Sequence, residues 1–288
     1  MKRWRFVRSW RWAGYLAFVL VFALACVLLS QWQLARRAEA VAANTVVEMN
    51  YDRAPVGIES LLPDLDSFSP ADEWRQVRLT GSYLSEEQLL VRTRPLGGNP
   101  GFEVLVPLQL DNGNTFIVDR GWVPVGTEQD APDQVPDAPT GTVTVVARLK
   151  PGEPALPGRS APPGQIATIQ LDDIRALLDR PTHTGAYGIM VAEDPPAAIR
   201  PKALPKPAID EGPHLSYAFQ WLVFAVLGIV ALAWAVRQEY RNLNADDPAE
   251  RERARERERR RLARAPSDSD IEDELVDRAQ DAPNRAVR

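Results

Sequence analysis

Two apolar runs dominate the pattern of hydrophobic and polar positions along this chain. The first extends from Ala13 to Ser30 and the second from Ala218 to Val236, in which Gln220 is the one strongly polar side chain. An α-helix needs about 20 apolar residues to cross about 30 Å of hydrocarbon, so each run predicts a transmembrane helix. The region between the two runs is long enough for a domain with its own hydrophobic core.

Alternating hydrophobic and polar positions in the central region predict short β-strands. The clearest pair flanks Asp111-Asn112-Gly113-Asn114, because Asn-Gly between two β-rich segments favours a tight hairpin. One segment, Leu171–Leu178, has its apolar residues at helical spacing instead. The predicted strands are Trp74–Thr80, followed by a break at Gly81-Ser82, and then Gln88–Arg94, Phe102–Leu110, Thr115–Val123, Thr142–Leu149, Ile166–Ile169 and Gly185–Ala192.

The basic residues around the first run predict its orientation. Five of them precede the run, whereas Arg36 and Arg37 follow it closely, so the positive-inside rule places the N-terminus in the cytoplasm. If both runs span the membrane, the C-terminus is cytoplasmic as well and the central domain is extracytoplasmic. The segment 195–213 is rich in proline, which predicts a semi-rigid, extended linker ahead of the second helix.

The expected fold is therefore a multi-pass protein of the cell (plasma) membrane, in which a two-transmembrane-helix hairpin flanks a mainly-β, α+β domain with a small, barrel-like architecture. Its expected parts are a cytoplasmic basic N-terminus at 1–12, a transmembrane helix at 13–30, an extracytoplasmic domain at 31–217 that includes the linker 195–213, a second transmembrane helix at 218–236 and a cytoplasmic charged tail at 237–288.

A cleaved signal peptide is the alternative interpretation of the first run, because Ala23-Leu24-Ala25-Cys26 resembles a lipoprotein cleavage box. Leucine is the usual residue three places before that cysteine, where this chain has Ala23. The apolar run also continues beyond Cys26, and it is longer than the apolar core of about 7 to 15 residues of a signal peptide. We therefore expect Cys26 to be a packing residue at lipid depth.

Composition excludes several kinds of site. A chain that is 45% hydrophobic and 25% charged with a net charge of -5 resembles a soluble protein on average, but the clustering of the apolar residues overrides that average. Cys26 is the only cysteine, so the domain has no disulfide framework and no site built from paired cysteines. Histidine is limited to His183 and His214, which excludes a histidine-rich metal cage.

No catalytic set emerges from the central domain. The serines lack the glycines of a nucleophile elbow, and there is no glycine-rich phosphate loop. Asp119 beside Arg120 is interpreted as a charge at the surface or edge of the domain, and His183 as a turn residue. The segment 250–264 pairs glutamates with arginines at helical spacing, which predicts a solvated tail without affinity for nucleic acid. We therefore do not expect an enzyme.

The candidate site lies at the outer ends of the two helices. His214, Tyr217, Trp221 and Phe224 follow a helical stripe that presents one imidazole and three aromatic rings, and Trp32 lies at the end of the first helix. An imidazole beside an aromatic, lipid-adjacent wall suits a flat apolar metallocycle with an axial nitrogen ligand. The alternatives are interfacial anchoring for the aromatic residues and backbone or headgroup hydrogen bonding for His214.

Four segments resemble the SURF1 family of cytochrome c oxidase assembly factors, and the resemblance extends from about Ala13 to Trp234. The chain departs from the family pattern at Ser30, where glycine is more usual, at Asp119, where asparagine is more usual, and in the charged tail. The matching segments are Trp32–Arg36, Val77–Tyr83 with Leu89–Arg94, Pro100–Leu108 continuing through Asp111–Gly113 to Val118–Pro124 with its Arg120-Gly121-Trp122-Val123-Pro124 string, and His214–Trp221.

The resemblance implies a role in the assembly of haem-copper cytochrome c oxidase, in which haem a is held transiently and delivered to subunit I. It implies His214 as the ligand of the haem iron, with Tyr217, Trp221 and Trp32 in contact with the macrocycle. Arg36 and Arg37 would then pair with haem propionates or with lipid headgroups. The implied partners are subunit I of the oxidase, a haem a synthase and the lipid bilayer.

Two other classes of function remain open at this stage. One is a structural chaperone that stabilises oxidase intermediates through protein contacts and binds no haem. The other is a membrane-anchored sensor, which would need a cytoplasmic output module. The tail from Glu250 to Arg288 is short and polar for such a module.

Overall fold

The structure, a computed structural model, describes residues 4–128 and 130–262, except for the side chains of residues 261 and 262. The expected cytoplasmic tail therefore lies outside the described residues from 263 onward. The chain divides into two compact units, one formed by 1–35 with 213–288 and the other by 36–212. The helices are α1 (Trp10–Asn50), α2 (Leu171–Leu178), α3 (His214–Leu243) and α4 (Pro248–Leu262).

Both predicted transmembrane runs lie in long helices. Each has an apolar window suited to a membrane span, with 11% of that window buried in α1 and 6% in α3. Core helices of soluble proteins are mostly buried, so this exposure indicates that both helices lie in a membrane. The four-residue difference at the start of α3 arises because the helix begins directly after Pro213.

Helix α1 continues well beyond the predicted span. Its 41 residues correspond to about 60 Å of helix at 1.5 Å per residue, about twice the thickness of the hydrocarbon layer. The segment after Ser30 contains many alanines together with glutamate, glutamine and arginine, and it has no glycine or proline before Asn50. These residues favour a helix without being apolar, so hydropathy marked the membrane part of α1 alone.

Helices α1 and α3 pack as an antiparallel hairpin. An ion pair of 2.5 Å joins Arg11 to Glu239, and the ring of Phe22 lies against Gly228, where an added Cβ would approach it to 3.2 Å. The contact residue on α3 moves from Glu239 back to Gly228 as the contact residue on α1 moves forward from Arg11 to Phe22, which is the pattern of antiparallel helices. Small residues line the packed surface, with exposures of 1% for Cys26, 1% for Ser30, 2% for Ala218 and 8% for Ala225. Small side chains allow close approach of membrane helices.

The unit 36–212 is built around a closed barrel. Its eight strands are β1 (Val56–Gly57), β2 (Gln76–Tyr83), β3 (Leu89–Val91), β4 (Gly101–Leu110), β5 (Thr115–Pro124), β6 (Thr142–Pro151), β7 (Gln165–Ile166) and β8 (Ala186–Asp194). The sheet order is β1-β2-β6-β8-β5-β4-β3-β7, and an additional pairing between β2 and β4 closes five of these strands into a ring. The mainly-β, barrel-like prediction is confirmed, as are the hairpin at Asn112-Gly113 and the helix α2.

One glycine makes the closure possible. Strand β2 leaves its partner β6 and joins β4 at Gly81, which pairs with both Val143 and Leu110. A Cβ on Gly81 would lie 2.0 Å from the carbonyl oxygen of Gln109, so the two backbones could not approach as they do. The predicted break at Gly81-Ser82 is therefore wrong, because β2 continues to Tyr83. The glycine is needed instead for the close approach of the β2 and β4 backbones.

The domain has two hydrophobic cores on the two faces of the sheet. Alternate residues of β4, including Val104 and Val106, point into the barrel, whereas Leu105 points to the outer face. There Leu105 joins a smaller core with Ile117 and with Ile174 of α2. Helix α2 thus covers one side of the barrel through the apolar stripe that the sequence showed.

Two polar residues lie deeper than the sequence suggested. Asp119, predicted at the surface or edge, is 0% exposed. Strand alternation correctly separates it from Arg120, but both faces of β5 are covered, one by the barrel interior and the other by the second core. His183, predicted in a turn, is 4% exposed and packs edge-to-face on Phe116 at 5.9 Å. A bridge between Thr115 and Thr182 holds its segment against β5.

Candidate functional site

His214 is the first residue of α3 and lies half-buried against α1. Its Nδ1 is 2.8 Å from Oε1 of Gln33. A carboxamide oxygen only accepts hydrogen bonds, so this contact is a hydrogen bond when Nδ1 carries the hydrogen and donates it. The second ring nitrogen, Nε2, then holds a lone pair that can bind a metal ion.

The aromatic residues of the candidate site differ in exposure. Trp221 is half-buried and packs edge-to-face on Phe224, with ring centroids 5.8 Å apart. Tyr217 is 46% exposed and Trp32 is 54% exposed. Seven residues are close to two turns of an α-helix, so Trp221 lies on nearly the same face of α3 as His214. Tyr217 is displaced from His214 by roughly 60° around the helix axis. The predicted stripe therefore has an imidazole and an indole on one side of α3 and a phenol on its flank.

The structure brings some of the predicted residues together across the hairpin and leaves others apart. His214 reaches α1 through Gln33, the direct neighbour of Trp32 in sequence. Among the described residues, the ring of Trp32 stacks on no other ring, so its membership of one surface with Tyr217 and Trp221 stays a prediction. The side chains of Trp32 and Tyr217 are both exposed on the surface of the hairpin.

Gln33 was not predicted as part of the site, although it lies within the matching segment Trp32–Arg36. A signal was available, because Gln33 follows the buried Cys26 by seven residues and Ser30 by three, which is the spacing of one helix face. A polar side chain on the packed face of a membrane helix indicates a polar partner on the opposing helix. Here that partner is His214.

The arginines beyond the first run already have carboxylate partners. Arg36 lies 2.7 Å from Glu39, and Arg37 lies 2.6 Å from Glu211. Both pairs are substantially exposed, so solvent and salt weaken them. An anionic group such as a carboxylate or phosphate could therefore compete for either guanidinium at low energetic cost.

A fully buried charge pair lies in the barrel domain and was not foreseen. Arg120 of β5 and Glu193 of β8 are 3.1 Å apart, and both side chains are 0% exposed. Tyr83 donates its hydroxyl to Glu193 at 3.3 Å, and the Arg120 guanidinium lies 5.5 Å from the centre of the Tyr83 ring. Burial and the negative charge of Glu193 raise the pKa of Tyr83, so the phenol stays protonated.

Asp119 belongs to a second buried polar cluster, beneath the outer face of the sheet. Its Oδ1 accepts the backbone N–H of Gly121 at 2.9 Å, while Oδ2 has no partner among the described residues. Burial, together with the nearby charge of Glu103, raises the pKa of Asp119 well above its usual range. Arg94 lies 3.1 Å from Glu103 and 2.5 Å from Glu153, so its charge is already shared between two carboxylates.

The Arg120-Gly121-Trp122-Val123-Pro124 string has a structural explanation. The indole Nε1 donates to the carbonyl oxygen of Arg94 at 2.6 Å, and Gly101 leaves room for the ring, since a Cβ there would lie 2.3 Å from it. Gly121 adopts φ +128°, and a Cβ there would lie 2.6 Å from the carbonyl oxygen of Lys202. The string therefore fixes the barrel wall and the start of the linker, and it leaves no reactive group exposed.

The fold and the site define a class of protein: a membrane protein with a two-helix apolar hairpin, a closed β-barrel domain and a single accessible imidazole at a helix start. Within that class the chain belongs to the SURF1 family, whose model matches residues 20–226. The match covers α1 from Leu20 onward, the entire barrel domain and α3 from His214 to Val226.

Individual relatives agree with the family assignment. A SURF1-like protein of Mycobacterium tuberculosis is 34% identical over 246 residues, which covers 84% of this chain and 89% of the relative. The same values hold for a SURF1-like protein of Mycobacterium bovis. The cytochrome oxidase assembly protein SHY1 of Saccharomyces cerevisiae is 30% identical over 122 residues, which is 40% of this chain and 29% of the yeast protein.

Proposed function

We propose that this protein assists the assembly of haem-copper cytochrome c oxidase in the cell membrane by holding haem a before it enters subunit I. Membership of the SURF1 family and the similarity to the yeast assembly protein support the assembly role. The observation that carries the haem step is the half-buried His214, whose Nδ1 is engaged by Gln33 so that Nε2 is available to iron. The proposal assigns no reaction to the protein.

The residues at the hairpin fit such a ligand. A neutral imidazole nitrogen is a common axial ligand of haem iron, and aromatic rings contact a macrocycle through dispersion. His214 would bind the iron, while Trp221, Tyr217 and Trp32 would contact the ring edges and faces. When bound, haem supplies redox-active iron to the oxidase; the chain supplies a reversible ligand and an apolar surface that excludes water.

The small number of metal-binding side chains in the hairpin favours reversible over permanent binding of haem. In the described part of the hairpin, His214 is the one residue with an imidazole, and no cluster of three metal-binding side chains occurs among the described residues. With His214 as the single protein ligand, the haem could be released when a ligand from the recipient replaces the imidazole. Transfer to subunit I, with a haem a synthase as the source of the haem, would proceed through such an exchange.

The test is haem a binding by the full chain purified in detergent. We expect the wild-type protein to give a Soret band of histidine-ligated haem, and His214→Ala to lose that band or to bind at least about tenfold more weakly. Gln220→Ala is the matched control, because Gln220 is an exposed polar residue of the same helix. An unchanged Soret band and affinity in His214→Ala would remove His214 as the ligand.

The competing function is a structural chaperone that binds oxidase intermediates without haem. Co-purification of subunit I with wild-type protein and with His214→Ala separates the two. If His214→Ala captures subunit I and supports normal oxidase assembly in cells, protein contacts alone are sufficient for the assembly role. The proposal that the protein holds haem a is then wrong. If capture persists but the assembled oxidase lacks haem a, the proposed function is supported.

A further inference from the structure

We infer that Gln33 is a positioning residue that fixes the tautomer and ring orientation of His214. The inference rests on the proposed function for its purpose, because it concerns how the imidazole is prepared for iron. The tautomer of His214 does not depend on haem and can be measured in the haem-free protein. The single contact behind it is the 2.8 Å separation between His214 Nδ1 and Gln33 Oε1.

The helix packing directs Gln33 at His214. Ser30 and Cys26, one and two helical turns before Gln33 on the same face of α1, are each 1% exposed. Ala218, one turn after His214 in α3, is 2% exposed. These small buried residues allow the two helices to approach closely, which brings two polar side chains 181 positions apart in the chain within hydrogen-bonding distance.

The contact matters because it joins two half-buried polar side chains of otherwise apolar helices. A polar group that is withdrawn from water without a hydrogen bond is destabilised. The Gln33 amide oxygen and the His214 Nδ1–H satisfy each other, so the Nδ1–H tautomer is favoured over the Nε2–H tautomer. The Nε2–H tautomer would place a hydrogen where iron has to bind.

The neutral amide of Gln33 also suits a histidine that has to release the haem iron. Histidines that bind metals usually donate their other N–H to a carboxylate, a carbonyl or water, and a carboxylate partner makes the imidazole a stronger donor. A carboxamide is a weaker acceptor than a carboxylate, so it orients the ring without strengthening the iron bond as far. Gln33 would thereby combine a fixed geometry with reversible ligation.

The first experiment measures the tautomer of His214 by ¹⁵N NMR on haem-free protein labelled at histidine, at a pH where the imidazoles are neutral. The chain has two histidines, so His214→Ala assigns the spectrum directly. We expect an unprotonated Nε2 in the wild type and a shift toward the Nε2–H tautomer in Gln33→Leu. Gln31→Leu, at an exposed position of the same helix, should match the wild type.

A protonated Nε2 in the wild type would overturn the inference, because the amide of Gln33 would then be donating its N–H to Nδ1. An unchanged tautomer in Gln33→Leu would overturn it as well. Neither outcome depends on whether haem binds. The result therefore separates failure of the positioning role from failure of the proposed function.

The second experiment measures haem affinity and midpoint potential in the same variants. We expect Gln33→Leu to bind haem about 10- to 100-fold more weakly, as is usual when the partner of a metal-binding histidine is lost. Gln33→Glu should bind ferric haem more tightly and lower the midpoint potential. If His214→Ala abolishes binding while both Gln33 variants keep the wild-type affinity and potential, His214 is the ligand and Gln33 does not position it.

Discussion

Arg120 and Glu193 form an ion pair of 3.1 Å in which neither side chain is exposed to solvent. The remaining donors and acceptors of the pair are also engaged: Arg120 Nη1 donates to the carbonyl oxygen of Pro136 at 3.0 Å, and Glu193 Oε1 accepts the N–H of Ala197 at 3.3 Å. The pair thus joins two neighbouring strands of the barrel to the loops on either side. Such a network is stable only while both charges remain.

Removal of one partner should therefore destabilise the domain more than removal of both. We expect Glu193→Leu to cost about 3 to 5 kcal/mol of unfolding free energy, because it leaves a buried guanidinium unpaired. Arg120→Met combined with Glu193→Leu should recover a large part of this loss. Thermal unfolding of the detergent-solubilised chain measures both. A double variant no more stable than the single one would contradict the uncompensated charge as the cause.

Asp119 provides a prediction about pH. Its pKa is raised in the folded state, so between about pH 4 and that raised pKa the folded protein holds a proton that the unfolded chain releases. The free energy of unfolding consequently falls as the pH rises through this window, by up to about 1.4 kcal/mol per pH unit. Asp119→Asn removes the titration, so we expect it to be more stable than the wild type at pH 7 and closer to it at pH 4.5.

The measurement is unfolding of Asp119→Asn and wild type at the two pH values. Asp66→Asn, at an exposed loop position, serves as the control and should not show the pH-dependent gain. Asparagine can still accept the Gly121 N–H that Asp119 Oδ1 accepts. If Asp119→Asn is less stable by the same amount at both pH values, the native carboxyl is ionised and the raised pKa is wrong.

Tyr51 connects the end of α1 to strand β6 and to the proline-rich linker. The Arg148 guanidinium lies 3.7 Å from the centre of the Tyr51 ring, and the Lys206 ammonium lies 4.6 Å from it. Lys206 also pairs with Asp52 at 2.9 Å. We expect Tyr51→Leu to lower stability by about 1 to 2 kcal/mol through the loss of both cation–π contacts. Tyr51→Phe keeps the ring and should resemble the wild type.

Limited proteolysis checks the effect on the linker separately. Trypsin can cut after Lys202, which is followed by Ala203, whereas Lys206 is followed by Pro207. Cleavage at Lys202 should be faster in Tyr51→Leu than in Tyr51→Phe, because the downstream linker is then held less firmly. Equal cleavage rates in the two variants would show that Tyr51 does not hold the linker.

The orientation of the hairpin gives a further prediction, which rests on the positive-inside rule. In a Cys26→Ser background, a cysteine at Ser160 should react with a membrane-impermeant maleimide in intact cells. A cysteine at the exposed position Ser9 should react only after the membrane is permeabilised. The reverse pattern of labelling would invert the topology.

Much of the fold followed from local patterns. The hairpin at Asn112-Gly113, helix α2 and most strands could be predicted because turn chemistry and side-chain alternation act over a few residues. Barrel closure at Gly81 could not, since it depends on a backbone approach between strands distant in sequence. The burial of Asp119 was missed for a related reason: alternation shows that two faces exist, but it does not show that both are covered.

The candidate site was predicted unevenly as well. His214 was identified because an imidazole at the start of an apolar helix is conspicuous in a chain with two histidines. Gln33 was overlooked because its significance lies in a contact with another helix, 181 positions away. A sequence shows the residue types and their spacing along one helix, whereas the identity of a partner on a second helix depends on how the two helices pack.

The closed ring of strands also limits how a partner can recognise the domain. The strands at the two ends of the sheet, Val56–Gly57 and Gln165–Ile166, are two residues long each. A protein that binds by adding a strand needs a longer free edge than these described segments offer. Recognition of this domain by an oxidase subunit would therefore rely on side chains and loops, and identical copies would have little tendency to join edge to edge.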